Sequence, residues 1–252
     1  MLRFRKLILF WTALAALALL SSLACAADNA RSHSFSKSKL MLSRQVYFDH
    51  RITVYCSAPY DKNNTIVLPE GFTTSKYHNR AKRMEWEHIV PAENFGRAFR
   101  EWRKGDPVCV DTRGKPFKGR NCASKVNMEY RSMQADMHNL APAIGAVNAA
   151  RQNYAFALLP DAESSFGSCP MKIEGRRVEP PVEARGIIAR TYLYMQAVYP
   201  RYQMGRREQR LMEAWNEAYP PDQWECARAE RIAAIQGNNN RITEARCGEV
   251  GF

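Results

Sequence analysis

Residues 84–96 read MEWEHIVPAENFG. Met84, Trp86, His88 and Val90 share one side of a period-two alternation, and Glu85, Glu87 and Ile89 share the other. Alternation at every second residue is the pattern of a strand. Pro91 ends it, because proline brings no N–H to a ladder. A carboxylate is a hard ligand suited to Mg2+ or Ca2+, and a neutral imidazole is a general base that works near pH 7. Neighbours on a flat strand point to opposite faces, so Glu87 and His88 serve one substrate only if the strand ends or twists there. Pro91 makes such an ending available. The bland alternative is a solvated strand end with a structural histidine beside Trp86, and the stretch alone does not choose.

Working outward, the spacing predicts a helix within 34–50, a short strand over RITVYC (51–56), turn chemistry after it, and a further short strand in IVLPEGF (66–72). Downstream, residues 92–105 read as a short helical stretch ending at Gly105, and 106–124 as a loop or hairpin. The period then becomes helical. It predicts helices near 126–138 and 142–152, the second with Pro142 near its start. A further helix lies between the prolines of 179–202, two more flank Pro220-Pro221, and the tail is a polar NNNR loop leading to Cys247. No repeat or clean linker divides the chain. The expected architecture is one α+β domain, mostly helical, with a small antiparallel sheet.

The chain has 252 residues, enough for a sizeable core, and 46% apolar residues argue against wholesale disorder. Residues 1–26 combine Arg3, Arg5 and Lys6, the uncharged run LILFWTALAALALL and the small-residue triplet ACA before Ala27. This is the pattern of a signal peptide, leaving a domain over 27–252. The apolar run is short for a membrane anchor, and Ser22 stands where a lipoprotein signal ending at Cys25 carries leucine. Removing the segment takes the formal charge from +12 to +9 and the cysteines from seven to six. An even cysteine count in an exported chain points to disulfides. No Cys-x-x-Cys pair supports a zinc site, and Cys109–Cys122 is the pairing the spacing favours. The basic balance points to an anionic partner without choosing among nucleic acid, anionic lipid and polyanionic glycan. His-Glu-x-x-His, Gly-x-Ser-x-Gly, the Walker loop and Gly-x-Gly-x-x-Gly are all missing from 27–252.

Four separated segments, RMEWEHIVPAENFG, KGRNC, MQADMHNLAPAIGAVNAARQNY and ARGIIARTYLYM, appear in that order. Together they resemble the endonuclease I family of exported bacterial nucleases, over about 35–247. The resemblance implies a ββα-metal (His-Me) finger and metal-dependent, non-specific cleavage of DNA, and often RNA, to 5′-phosphate products. It implies His88 as general base, Glu87 and Asn148 as metal ligands and Arg120 as the phosphate-stabilising arginine. Asn139 competes with Asn148, its other reading being a loop-fixing amide ahead of Pro142. Glu85 is left without a role. The implied cofactor is Mg2+, with Mn2+ or Ca2+ as other divalent candidates. The implied partners are double- and single-stranded DNA and RNA, for a periplasmic or secreted monomer with no stable membrane association. Cys56-Ser57-Ala58 stands where the family often has Cys-x-Cys, which implies one disulfide fewer.

Two readings compete with the nuclease: an exported basic nucleic-acid-binding protein without catalysis, and another metal-dependent phosphoesterase. The loop between Cys109 and Cys122 also carries Arg113, Lys115 and Lys118, which are placed to follow a phosphate backbone. Replacing Lys115 and Lys118 together by alanine is expected to flatten the dependence of log K on log salt for DNA binding, and an unchanged slope removes them from the interface.

Overall fold

In the computed structural model, which describes Asn29 and residues 31–252, the alternating stretch forms strand β1, Met84–His88, which ends before Pro91 rather than at it. The expected signal peptide over 1–26 lies outside the described residues. β1 pairs antiparallel with β2 (Leu140–Ile144), placing Trp86 opposite Pro142 and His88 opposite Leu140. β2 is buried along its whole length. It corrects the sequence reading, which put Pro142 near the start of a helix. A short apolar run next to helical spacing is ambiguous by periodicity alone, and Pro142 needs no donor in β2, where its carbonyl accepts from Val54 N at 2.8 Å.

The first helix, α1 (Phe35–Met41), starts at Ser34, whose side chain caps Lys37 N, and widens into a π turn over Leu42–Val46. Short helices α2 (His78–Ala81), α3 (Ala92–Gly96) and α4 (Arg100–Lys104) flank β1 in sequence. α5 (Arg120–Val126) and α6 (Met128–Ala135) meet at Asn127, whose side chain caps Tyr130 N. α7 (Gly145–Arg151) follows β2 without a break. The chain closes with α8 (Val182–Val198), α9 (Arg206–Ala218), α10 (Gln223–Gln236) and α11 (Arg241–Val250). No helix among the described residues is long and apolar enough to cross a membrane.

Several expected elements are absent or different. RITVYC forms no strand: Ile52 makes a single bridge to Pro59, and residues 54–56 turn. IVLPEGF likewise contributes isolated bridges at Ile66 and Phe72. β-branched residues favour strands only where a neighbouring edge is present to pair with them. A second sheet, unforeseen, has the order β3-β5-β4, built from Ala155–Phe156, Lys172–Glu174 and Arg177–Glu179, with β3 parallel to β5. Its strands are too short to show a period. The expected loop is present over 238–240, but the tail beyond it is helical, because Asn240 caps Thr243 N and starts α11.

The result is one α+β domain in which helix far outweighs strand and the sheets are small. Its core joins Phe95, Phe99 and Tyr130 to Ile144, Val147, Ile188, Tyr192, Met195 and Trp215. A smaller cluster, including Leu42, Val46, Leu140 and Ile232, seats α1 and α10 against β2. Cys109–Cys122 forms as expected, and Cys56–Cys169 and Cys226–Cys247 pair the remaining cysteines among the described residues. Cys56 therefore has a partner without a neighbouring Cys-x-Cys.

Asp136 is fully buried and accepts from Tyr194 Oη, Tyr199 Oη, Gln236 Nε2 and His138 N at 2.6 to 2.9 Å. Beside it, His138 donates from Nε2 to Asn238 O at 3.1 Å, while its buried Nδ1 has no partner among the described residues. Burial lowers the His138 pKa to about 4, although Asp136 pulls it upward. The folded state thus keeps this imidazole neutral, whereas the unfolded chain protonates it near 6.5. Its stabilising effect is complete above pH 6.5 and is lost as pH falls towards 4. Thermal melts of wild type and His138→Gln from pH 7 to 4.5 are expected to show a smaller drop in Tm for the variant.

Candidate active site

β1 ends at His88, and the chain leaves the ladder there. Ile89 N bonds Asn139 O at 3.0 Å, Val90 N bonds Asn139 Oδ1 at 2.7 Å, and Pro91 opens α3. This answers the geometric question posed by adjacent Glu87 and His88, since both line one cleft at the strand's end. Phe35, Arg80, Trp86, Arg120, Asn148 and Gln152 complete much of its wall. All four residues expected to carry chemistry therefore meet in one place, from β1, the start of α5 and the middle of α7.

Asn139 does not join them. Its Oδ1 accepts from Val90 N, its Nδ2 donates to Val90 O at 3.1 Å, and the side chain is fully buried. Both ends of the amide are spent fixing the turn after β1. Arg113, Lys115 and Lys118 are exposed on the loop leading to Arg120 and are not part of the cleft wall. Arg120 itself is exposed, and the Cys109–Cys122 bond two residues later anchors the helix that presents it.

Glu87 is only 4% exposed. Tyr55 Oη donates to its Oε1 at 2.9 Å, and Arg151 Nη1 approaches the same oxygen at 3.2 Å. Among the described residues both contacts fall on Oε1, so Oε2 is the oxygen left for a ligand in the cleft. Burial raises the Glu87 pKa to about 7, against the opposing pull of Arg151 and Tyr55. His88 packs against Phe35, with ring centroids 4.8 Å apart, and its Nε2 lies 2.9 Å from Gln134 O. A carbonyl only accepts, so Nε2 carries the proton and Nδ1 the free lone pair. Burial lowers the His88 pKa to about 3; the Gln134 bond opposes this, and Arg120, Arg151 and Lys39 add to it. The imidazole is therefore neutral at physiological pH, the form a base requires.

Arg151, the last residue of α7, has no solvent exposure. Besides Glu87 it donates to His88 O at 3.2 Å, Ile89 O at 2.7 Å and Tyr192 Oη at 3.2 Å. Neither Tyr55 nor Arg151 is marked in the sequence. Tyr55 sits in what looks like a strand, and Arg151 looks like an ordinary cation in a last helical turn.

The donor set fits a hard divalent cation. Glu87 Oε2 and Asn148 Oδ1 are oxygens, the preferred ligands of Mg2+, Mn2+ and Ca2+. Among the described residues, no group of three or more His, Cys, Asp or Glu side chains is gathered for a metal. A cation in the cleft would thus rest on few protein donors, leaving positions for water and substrate oxygens.

A family profile described as Endonuclease I matches residues 31–245 of the chain. The chain is 37% identical over 238 residues to an extracellular deoxyribonuclease of Aeromonas hydrophila, covering 92% of this chain and 96% of that protein. It is 38% identical over 210 residues to a periplasmic deoxyribonuclease of the same organism, covering 81% and 82%. An Endonuclease-1 of Buchnera aphidicola is 38% identical over 180 residues, covering 70% and 66%.

Removing Arg151 leaves a buried carboxylate without its cation. Arg151→Met is expected to destabilise the fold by about 3–5 kcal/mol in urea unfolding, and Glu87→Gln added to it is expected to restore part of that loss.

Proposed function

The chain belongs to the endonuclease I family and is an endonuclease, and on that premise we propose that it hydrolyses DNA and RNA non-specifically, with a divalent cation, to 5′-phosphate products. The observation that carries this reading is the meeting of Glu87, His88, Arg120 and Asn148 in one cleft. A strand–strand–helix unit of β1, β2 and α7 carries three of them, which supports a His-Me finger.

Each residue has a task. Neutral His88, steered by Gln134 O, accepts a proton from water at Nδ1. That water attacks phosphorus as the bond to the 3′ oxygen breaks. Arg120 brings a planar fork that contacts two phosphate oxygens at once. Glu87 Oε2 and Asn148 Oδ1 would hold Mg2+, or Mn2+ or Ca2+ in its stead. When bound, the cation neutralises charge on the phosphate and the departing oxygen.

Non-specificity follows from contact chemistry. The basic groups near the cleft address phosphates, which carry no sequence information. The extracellular and periplasmic relatives, the three disulfides and the leader over 1–26 support export of the mature enzyme.

Supercoiled plasmid incubated with Mg2+ is expected to be nicked, with EDTA abolishing the reaction and RNA cleaved in parallel. His88→Ala is expected to lower the rate by about 10²–10⁴. Nicking by His88→Ala at the wild-type rate would refute the assigned base.

A further inference from the structure

We propose that Glu85 is a positioning residue for the cation site: it holds Asn148 by its amide nitrogen and so turns Asn148 Oδ1 towards the cation. The proposal rests on the reading of Glu87 and Asn148 as cation ligands.

Glu85 lies two residues before Glu87 on β1, and its side chain is 18% exposed. Oε1 receives Arg80 Nε at 2.9 Å and Arg83 Nε at 2.8 Å. Oε2 receives Arg80 Nη2 and, at 3.3 Å, Asn148 Nδ2. The carboxylate is thus clamped from two sides before it meets the asparagine. An ionised carboxylate accepts and never donates. It can take the NH2 end of the Asn148 amide but would repel the oxygen end. The orientation of the amide is therefore selected, and Oδ1 is the end left for the cleft that Asn148 lines.

The backbone makes room for this contact. Gly145, the first residue of α7, donates from N to Arg83 O at 3.0 Å. A Cβ there would come within 2.8 Å of Glu85 Oε1 and 2.6 Å of Arg80 O. With no side chain at 145, the Glu85 carboxylate lies against the first turn of the helix that carries Asn148. Glu85 thereby braces the strand bearing Glu87 to the helix bearing Asn148. The same contact explains an amide at 148, since aspartate there would set two negative groups together. Arg80 and Arg83 balance the charge of Glu85, which leaves it a fixed acceptor rather than a third ligand.

The test is a double-mutant cycle on Mn2+ affinity, read from the electron paramagnetic resonance signal of free Mn2+ with the full mature chain. Glu85→Ala is expected to weaken binding by about 10-fold or more, within the range known for residues that orient metal ligands. In an Asn148→Ala background the same change is expected to have almost no effect. Glu85→Gln keeps the shape and one acceptor oxygen, and it is expected to fall between Glu85→Ala and wild type. If Glu85→Ala does not fold, Glu85→Gln takes its place in the cycle. Equal weakening with and without Asn148, or no weakening at all, overturns the proposal while leaving the cation site standing. Failure of wild type to bind Mn2+ overturns the cation site and this inference with it.

Discussion

The guanidinium of Arg151 sits among Glu87, Tyr192 and the carbonyl oxygens of His88 and Ile89, closed off from solvent. Burying this cation costs several kcal/mol of desolvation, which the bonds made by its two Nη atoms offset, while its buried Nε has no partner among the described residues. Every partner of Arg151 is therefore constrained by the others. Glu87 and His88 belong to the end of β1, Ile89 follows directly after it, and Tyr192 belongs to α8. The guanidinium also lies over the Phe156 ring, 4.7 Å from its centroid. The relation between strand and helix is thus set by directional hydrogen bonds as well as by packing, and it is tied to the middle of the core.

Two glutamates on the same side of one strand show how far surroundings decide chemistry. At Glu85, burial pushes the carboxyl up, but Arg80 and Arg83 outweigh it and hold the pKa below its ordinary value. At Glu87, burial wins over Arg151 and Tyr55, and the pKa rises to about 7. The difference lies in neighbours and exposure, since residue type and strand face are shared. A carboxylate held uneasily in the interior gains more from an arriving cation than one already neutralised by two arginines.

Much of this was legible before the structure. The alternation of MEWEH marked β1, which ends at His88 rather than at Pro91, and the helical spacing between the prolines of 179–202 marked α8, because long or strictly periodic segments leave one reading. Leu140–Ile144 was lost because five apolar residues containing a proline fit a helix start as well as a buried strand. The four residues expected at the site do share one cleft, whereas both ends of the Asn139 amide are bonded to Val90. The supporting groups could not be read. Nothing local distinguishes Tyr55 among 11 tyrosines, or Arg151 among the surface arginines, since their partners lie 32 and 64 positions away. The acceptor for His88 is a main-chain oxygen, which leaves no trace in residue identity at all.

The Cys56–Cys169 bond closes a covalent ring spanning 113 positions. Glu87, His88, Arg120, Asn148 and Arg151 all lie inside that ring, and Tyr55 stands directly beside it. A protease that cuts the backbone once, anywhere between the two cysteines, opens the ring without releasing a fragment. The two new ends remain parts of one molecule, held at the sulfur bridge and by the packed core around the cleft. The damage that matters is then a second cut within the ring, or reduction of the bond after the first.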